Sequence, residues 1–528
     1  MKSTIKKWLL AIPTLCFTFL SQAQPTWSED AAQIMYDNCT ECHNPEGVGS
    51  VSFMEYSTAY DYRALIQSYV EFNIMPPWTA DTSYQHYFDE RTLTEYERNT
   101  IIEWASSGAP EGDPELAPPP PVYTGEQQLA ATPDLVLEMP NYMSKATESF
   151  DDYVCISIPT GLATDRRVKA IEIIPGNRSI VHHCLLYMDE DGSYATDTIG
   201  GDCGGPTTEP LMAGYTPGAS PTIFPSSEDF SSGMVLPAGS DVVFALHYPH
   251  GSYGEWDQTR VHFYFYPEPI ETEFREILAG PFLQNWDFSL PPDEYTDVEA
   301  TYPDVPFNLT VLSAFPHMHL LGKSIKTYAV TEAMDTVKFV NIPNWDFDWQ
   351  DFYWFKYMQH LPSGSDLFAE GVYDNTVGNP HNPYDPPIEI GPGFNTTDEM
   401  FLVYFHVMEY WDGDEFVNVD SLNNLYLDQL GIEEEESGAE MGLRAYPNPF
   451  DNSIAIDYNL VNSTYVSIFI YDMAGKLVKK LQQGDQEAGA QSVVWDGSDE
   501  NGSPVSNGVY HYSMRANGSV YSGRIIKK

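Results

Sequence analysis

Short alternating runs of apolar and polar residues dominate the middle of the chain. Residues 242–248 and 261–265 are two examples, and Gly, Pro and Asn separate such runs. Successive side chains of a strand point to opposite faces of its sheet, so the pattern predicts short strands. Residues 443–528 show the same pattern. We therefore predict β-sandwich architecture over most of the chain.

The N-terminal region has helical patterning instead. Residues 31–36 are rich in apolar side chains and precede a pair of cysteines. The stretch 93–104 begins with the capping sequence Thr92-Leu93-Thr94-Glu95 and ends near Gly108. An N-terminal cap and a terminal glycine are helix boundary signals. The sequence therefore predicts a small all-α domain over residues 24–112.

Two linkers divide the chain. Residues 113–121 contain four consecutive prolines, which favour stiff polyproline II structure, and residues 432–442 are acidic and predict an extended tether. A large body at 122–431 lies between them, and a C-terminal module follows at 443–528.

The first 23 residues predict a secretory signal peptide. Lys2, Lys6 and Lys7 precede an apolar stretch at 8–20, and Ala23 ends a plausible cleavage site. The apolar stretch is short for a membrane span, and no other stretch approaches one. We therefore predict an exported chain without a transmembrane segment, in a compartment that permits disulfides.

Charge excludes one class of partner. The chain has 528 residues and a formal net charge of −52. Residues 24–442 carry −55, whereas residues 443–528 are neutral overall, which marks the C-terminal region as a separate module. Nucleic acids and anionic membranes attract clustered Lys and Arg, so neither is a predicted partner.

The sequence Cys39-Thr40-Glu41-Cys42-His43 is the attachment motif of c-type haem. The two thiols would bond to the porphyrin and His43 would bind the iron, with Met75 as the predicted second axial ligand and Met54 as the alternative. A redox dithiol or half of a zinc site is less favoured, because no second cysteine pair lies nearby. The region resembles a small class I cytochrome c.

Five of the 13 histidines form clusters in the body. His317 and His319 would share one face if they lie in a strand, and so can chelate one metal. The adjacent His182 and His183 would point to opposite faces of a strand. They can share a metal only if the strand ends or bulges there, or if they coordinate through different ring nitrogens. His247 lies in an apolar strand, where an unpaired imidazole would be costly. Imidazole suits copper, and a thioether beside it selects Cu(I).

Six stretches together resemble the type II copper, ascorbate-dependent monooxygenases, a family that includes the peptidylglycine α-hydroxylating and dopamine β-monooxygenases. Their order and spacing match over about residues 130–425. The stretches are 153–158, 181–187, 245–248, 277–280, 316–323 and 398–404.

The resemblance implies two antiparallel, jelly-roll-like β-sandwich domains, at 122–272 and 273–431, whose copper sites face a solvent cleft. His182, His183 and His247 would hold the electron-transfer copper. His317, His319 and Met400 would be the catalytic residues. They would hold the copper at which oxygen and substrate react. The resemblance also implies a disulfide between Cys155 and Cys203, which leaves Cys184 buried and free.

One departure from the family concerns the substrate. In the peptide-amidating members an Arg two residues before the His-x-His pair binds the peptide carboxylate, and here that position is Phe315. An unpaired carboxylate is costly to bury. We therefore expect neutral or amine-bearing small organic substrates, and no amidation of glycine-extended peptides.

The C-terminal module resembles the sorting domain of the type IX secretion system. Its matching stretches are 443–450, 468–475, 495–497 and 507–510, and it ends in Lys527-Lys528. The resemblance implies an Ig-like β-sandwich, the type IX machinery as a partner, and a secreted or outer-surface location.

Two functions from different classes follow. The first is a copper monooxygenase that hydroxylates a C–H bond with O2, using two copper ions and one covalent haem, with electrons from the haem or an ascorbate-like donor. The alternative is a non-catalytic surface protein for electron transfer or copper handling. The His-x-His pair and Met400 favour the enzyme.

Overall fold

The structure is a computed structural model. It describes residues 24–419, 422 and 443–528 apart from 46, 48, 89, 122, 124–127, 130, 149, 202, 204, 207–208, 228–229, 271, 348, 451, 461–463, 473–476, 500–501, 507 and 517–518. The predicted signal peptide and the predicted acidic linker lie outside the described residues. No helix in the described part of the chain is long and apolar enough to cross a membrane.

The chain divides into two compact units. The first contains the described residues before 44 together with 51–76 and 93–121. The second contains the described residues of 44–50 and 77–92 and those from 123 onward. Residues 77–92, which the sequence assigns to the N-terminal domain, therefore group with the β-rich part of the chain.

The first unit is helical. A π-helical turn at Trp27–Ala31 leads into α1 (Ala32–Asn38), and α2 (Tyr56–Glu71) and α3 (Glu95–Ser106) follow. Thr94 caps α3, because its hydroxyl accepts from the Glu97 N–H while the Glu97 carboxylate accepts from the Thr94 N–H. Trp27 and Trp104 are buried together, with ring centroids 5.7 Å apart. The predicted linker holds one 3-10 turn, Pro114–Leu116.

Two facing sheets form the first sandwich of the second unit. One has the order β1-β12-β4-β7 with β9 beside β4, and the other has the order β3-β10-β5-β6. The strands are β1 (Leu135–Glu138), β2 (Tyr142–Met143), β3 (Asp152–Pro159), β4 (Arg166–Ile174), β5 (His183–Asp189), β6 (Leu211–Tyr215), β7 (Thr222–Ile223), β8 (Phe230–Gly233), β9 (Val235–Leu236), β10 (Asp241–Tyr248), β11 (Trp256–Asp257) and β12 (Arg260–Phe265).

The second sandwich has two four-stranded sheets, in the orders β14-β21-β16-β19 and β15-β20-β17-β18. Its strands are β13 (Glu273–Glu276), β14 (Leu278–Asn285), β15 (Tyr295–Tyr302), β16 (Leu309–His317), β17 (Gly322–Val330), β18 (Thr336–Ile342), β19 (Tyr353–Leu361), β20 (Asp366–Asp374) and β21 (Phe401–Glu409). A 3-10 turn at Asp414–Phe416 follows.

The C-terminal module has a three-stranded sheet, β22-β23-β26, and a four-stranded sheet, β25-β24-β27-β28. Its strands are β22 (Arg444–Tyr446), β23 (Ile454–Leu460), β24 (Thr464–Asp472), β25 (Leu477–Gln486), β26 (Gly489–Trp495), β27 (Gly508–Ala516) and β28 (Ser519–Lys527). The predicted predominance of antiparallel sheets, arranged as several sandwiches, is confirmed.

The two large sandwiches share apolar core. β13 pairs in parallel with β8 of the first sandwich, and Leu312 and Met408 of the second belong to the core of the first. His406 also joins them, because its Nε2 lies 3.1 Å from the Leu211 carbonyl oxygen while its Nδ1 lies 2.7 Å from the Ser313 hydroxyl. Burial of apolar side chains therefore holds the two sandwiches in contact.

Candidate metal centres and the pocket between them

The first histidine cluster forms where two neighbouring strands meet. His247 lies on β10 opposite His183, the first residue of β5. His182 precedes the strand, and its N–H donates to the His247 carbonyl at 3.0 Å. Because the strand begins at His183, its neighbour is not forced to the opposite face. This is one of the two local arrangements that allow adjacent histidines to share a metal.

The three imidazoles of this cluster converge through ring nitrogens. The Nδ1 atom of His183 lies 3.3 Å from that of His182 and 3.4 Å from that of His247. Ligand nitrogens of all three residues lie within 4.8 Å of one another. Three imidazoles whose ring nitrogens lie this close together are a ligand set that suits copper. The residues present therefore fit a three-histidine copper site.

Asp151 orients the first cluster from outside. Its carboxylate lies 3.0 Å from the Nε2 of His247, which assigns the His247 proton to that nitrogen and leaves Nδ1 for a metal. Burial acts to raise the pKa of Asp151, but the hydrogen bond from His247 holds it below its ordinary value. Burial, and then the neighbouring His247, lower the pKa of His183 well below its ordinary value. The Tyr153 ring stacks on His247 with centroids 4.1 Å apart.

The second cluster forms at the end of β16. The strand ends at His317, and the next residue, Met318, is fully buried in the core. His319 lies beyond the strand, so the prediction that the two histidines share a face of one strand is wrong. Their ring centroids lie 5.0 Å apart. The turn that follows, at residues 319–322, is held by Glu399, whose carboxylate accepts from the N–H groups of His319 at 2.9 Å and Leu321 at 2.6 Å.

Both histidines of the second cluster use Nδ1 for a hydrogen bond to a neutral oxygen. His317 Nδ1 lies 2.5 Å from Gln350 Oε1, and His319 Nδ1 lies 3.1 Å from the Asp398 carbonyl oxygen. An oxygen acceptor assigns the proton to Nδ1 and leaves Nε2 as the ligand atom. Burial lowers the pKa of His317 to about 4, and burial with the nearby His317 lowers that of His319 to about 3.

Met400 completes the second cluster. It immediately precedes β21, is 4% exposed, and lines the same pocket as His317 and His319. Its backbone is fixed on both sides, since the Tyr373 hydroxyl donates to its carbonyl at 2.5 Å and its N–H donates to Glu399 at 3.3 Å. Two imidazoles and a thioether suit Cu(I), so these residues also fit copper.

Sequence reasoning missed Glu399. The side chain is fully buried and accepts three backbone N–H groups around the second cluster. Burial raises the pKa of Glu399 to about 8, although those N–H groups favour the carboxylate. An acidic residue directly before the apolar run 400–405 was a weak signal in the sequence, because nothing there shows which amides it binds.

One pocket of about 60 Å³ is lined by residues of both clusters. Its walls are largely apolar, and none of the described residues that line it is Lys or Arg. The lining residues include Tyr153, His183, Leu185, Tyr187, Phe315, His317, His319, Phe347, Phe394, Met400, Leu402 and Tyr404. The Phe347 ring lies between the clusters, with its centroid 6.4 Å from that of His247 and 6.1 Å from that of His319.

Phe315 forms an aromatic wall of this pocket. It is 3% exposed and stacks on Phe352, with ring centroids 4.6 Å apart, and on His317 at 6.3 Å. The position that would carry a cation according to the resemblance to the peptide-amidating enzymes therefore offers an apolar aromatic surface.

The disulfide lies beside the same pocket. Cys155 and Cys203 are bonded, and Cys203 is among the residues that line the pocket. Cys184 is buried and free, as expected. The predicted pairing is present.

The candidate haem residues lie in the helical unit. Cys39 and Cys42 form no disulfide, and the His43 Nδ1 lies 2.9 Å from the Val51 carbonyl oxygen, which leaves Nε2 for iron. Met75 is half-buried after α2, and its N–H donates to the Tyr69 carbonyl at 3.2 Å.

An exposed apolar stripe runs along α2 beside this motif. Tyr62, Leu65, Tyr69 and Phe72 are 39%, 52%, 42% and 70% exposed. Phe53 connects the stripe to the motif, since its ring lies 6.3 Å from Tyr62 and 4.7 Å from His43. Contiguous exposed apolar residues mark a surface that another group covers. The stripe fits the apolar face of a haem.

Comparisons with known proteins identify two segments. Residues 291–422 match the family described as copper type II ascorbate-dependent monooxygenase, C-terminal domain, and residues 451–519 match the FlgD Ig-like domain. The first match contains the whole second cluster. No curated protein matches the chain.

Two solved structures from Porphyromonas gingivalis are similar in part. PorZ, a surface component of the type-IX secretion system, is 20% identical over 18% of this chain and 12% of its own, with a TM-score of 0.14. Dimeric latent PorU is 11% identical over 71% of this chain and 34% of its own, with a TM-score of 0.15. At these TM-scores neither likeness carries an argument about this chain.

Proposed function

We propose that the protein is an exported copper-dependent monooxygenase that hydroxylates a C–H bond of a small organic substrate. The observation that carries this proposal is the pocket lined by His183 of the first cluster and by His317, His319 and Met400 of the second. In the proposed reaction one oxygen atom of O2 becomes the hydroxyl group and the other leaves as water, with two electrons and two protons consumed. The match of residues 291–422 supports the reaction class.

The two clusters have different proposed roles. His182, His183 and His247 hold an electron-transfer copper, and His317, His319 and Met400 hold the copper beside the substrate. Bound copper would supply the one-electron steps and the activation of O2. The protein supplies ligand geometry, since Asp151 fixes the tautomer of His247 while Gln350 and the Asp398 carbonyl fix those of His317 and His319. The apolar pocket walls exclude water.

The proposed electron source is a covalent c-type haem on Cys39 and Cys42, with His43 and Met75 as iron ligands and an ascorbate-like donor as the alternative. The exposed stripe on α2 and the hydrogen bond of His43 Nδ1 support a haem there. Export through the type IX machinery to the cell surface or medium is also proposed, on the resemblance of the C-terminal module.

The proposed substrates are neutral or amine-bearing molecules. Phe315 offers no charge to a carboxylate, and no Lys or Arg is among the described residues that line the pocket. Aromatic walls accept apolar groups and can attract a cation through the ring face. A glycine-extended peptide would bring an unpaired carboxylate into this pocket.

Oxygen uptake by the reduced, copper-loaded protein tests the proposal. We expect uptake that requires copper, with the incorporation of one oxygen atom into a neutral or amine-bearing aromatic probe and none into a glycine-extended peptide. Copper binding at both clusters without uptake in such a panel would favour the non-catalytic alternative, electron transfer or copper handling. The haem is tested separately, since a covalent haem stays with the chain through acid extraction and denaturing electrophoresis.

A further inference from the structure

Residues 77–92 form a segment that we call the strap. It lies between α2 and α3 in sequence and outside the matched range 291–422, yet it is built into the second sandwich. The Tyr87 hydroxyl is buried and donates to the Phe339 carbonyl at 2.9 Å, and the Phe88 N–H donates to the Trp354 carbonyl at 2.7 Å. The strap is therefore an integral part of the sandwich that carries the second cluster.

Arg91, near the end of the strap, binds two different loops. Its Nη2 lies 2.5 Å from the Asp351 carboxylate, on the loop between β18 and β19 of the second sandwich. Its Nη1 donates at 3.2 Å to the Gly218 carbonyl, on the loop between β6 and β7 of the first. Arg91 and Asp351 are 18% and 22% exposed, so the pair is largely shielded from water. One guanidinium thus joins the two sandwiches.

The two loops held by Arg91 enclose the space between the histidine clusters. A second pocket, of about 20 Å³, is lined by His183, His317, Thr216, Gln350 and Asp351. Asp351 follows Gln350, which accepts the hydrogen bond from His317. The same loop carries Phe347, which contacts both clusters, and the Gln350 amide donates to the Phe347 carbonyl at 2.9 Å.

We propose that Arg91 is a positioning residue that holds the two histidine clusters in register across the pocket. The assignment of copper to these clusters rests on the proposed function, but the arrangement itself rests on side-chain geometry. A planar guanidinium reaches a carboxylate and a carbonyl at once, which an ammonium group cannot reproduce with the same geometry. Loss of Arg91 would free the β18–β19 loop and the β6–β7 loop together, and with them Gln350 and Phe347.

Hydrogen exchange in the copper-free protein tests the arrangement directly. The reporter is the Ala219 amide, which donates to the Thr216 carbonyl at 2.9 Å on the loop bound by Arg91. We expect Arg91→Met and Asp351→Asn each to speed its exchange about tenfold, because each variant removes the charge-assisted hydrogen bond between Arg91 and Asp351. The matched control is Arg167→Met, which removes a 2.7 Å pair with Glu268 on the first sandwich.

The double variant makes the test sharper. If Asp351 acts on Ala219 through Arg91, Arg91→Met with Asp351→Asn should exchange no faster than Arg91→Met alone. Unchanged Ala219 exchange in Arg91→Met, or an equal change in Arg167→Met, would overturn the proposal. Should Arg91→Met not fold, Arg91→Lys should show a smaller acceleration of the same amide.

A spectroscopic readout tests the consequence for the clusters. With Cu(II) loaded at both sites, pulsed EPR of the full chain should give a narrow copper–copper distance distribution, which Arg91→Met broadens and Arg167→Met leaves unchanged. An unchanged distribution in Arg91→Met would overturn the positioning role. Faster Ala219 exchange in a protein that binds copper at neither cluster would uphold the role of Arg91 and reject the proposed function.

Discussion

The proposed metal-binding ring nitrogens are opposite ones in the two histidine clusters. In the first cluster the imidazoles converge through Nδ1, and His247 binds the anionic Asp151 carboxylate through Nε2. In the second cluster His317 and His319 use Nδ1 for neutral oxygen acceptors and keep Nε2 for the metal. One cluster therefore has an anionic outer partner, and the other has neutral partners and a thioether.

This difference predicts different copper chemistry. A carboxylate behind an imidazole raises its basicity and stabilises the more highly charged Cu(II). A thioether and uncharged outer partners favour Cu(I). We therefore expect a lower reduction potential at the first cluster than at the second, so that electrons pass from His182, His183 and His247 toward His317, His319 and Met400.

Among the variants considered, replacement of Met400 should have the largest effect on the difference between the two clusters. In Met400→Ile the second cluster loses its soft ligand, so substrate hydroxylation should fall below about 1% of the wild-type rate. The copper at the first cluster should stay bound. Product formation, measured together with the copper content of each site by EPR, checks this expectation.

The matched control is Met408→Ile. Met408 lies on β21, the strand that follows Met400, but it is buried in the core shared by the sandwiches. The Met408→Ile protein should keep its hydroxylation activity, and its free energy of unfolding should fall by about 1 kcal/mol. Full turnover in Met400→Ile would mean that the thioether is not a ligand and that the two-site assignment is wrong.

The two clusters also differ in the interactions that hold their backbone, and Glu399 is the main difference. The first is supported by a strand pair, whereas the turn at His319 depends on a buried carboxylate that accepts three N–H groups. Glu399→Leu removes the carboxylate that accepts all three hydrogen bonds, so the free energy of unfolding should fall by about 3 kcal/mol. Denaturant unfolding of the copper-free protein measures this. Glu389→Gln, at an exposed carboxylate bound to Ser289, is the control and should change little. Equal stability of the two variants would contradict the role of Glu399.

The sequence singled out the residues of the two clusters but not the local geometry that brings them together. The spacing of His317 and His319 indicated a shared metal, but the reason was wrong, because the strand ends between them and a distant carboxylate sets the turn. No local pattern reveals that Glu399 binds the amides of His319 and Leu321, since those contacts span about 80 residues. The sequence also did not show that a strand starts at His183, because that start depends on pairing with the distant strand β10.

The fold was predictable where the pattern is local. Alternating runs indicated the sandwiches, and the capping sequence at 92–95 indicated where α3 starts. The strap was not predictable, because residues 77–92 carry no continuous periodicity and are ordered by contacts with β18 and β19. Its assignment to the second unit depends on tertiary packing that overrides position in the sequence.

A charge change at Asp151 should alter the first cluster alone. Asp151→Asn keeps a hydrogen-bonding side chain but removes the negative charge, so the Cu(II) affinity of the first cluster should fall about 10–100-fold. The second cluster should be unaffected, and an EPR-monitored Cu(II) titration separates the two. Asp241→Asn, on the same strand as His247 but bound to Ser157, serves as the control. A comparable loss in the control would indicate general destabilisation of β10.

Phe347 should show the smallest effect, because it contacts both clusters without binding either metal. Its ring offers no ligand atom, and aromatic pairs contribute about 0.5–1.5 kcal/mol beyond their burial. In Phe347→Leu we therefore expect each copper affinity to change by at most roughly tenfold, with both sites affected alike, since the ring lies about equally far from His247 and His319. Separate Cu(II) titrations of the two sites measure this. A large loss of copper affinity at one site alone would show that Phe347 supports only that cluster, although its ring lies about equally far from both.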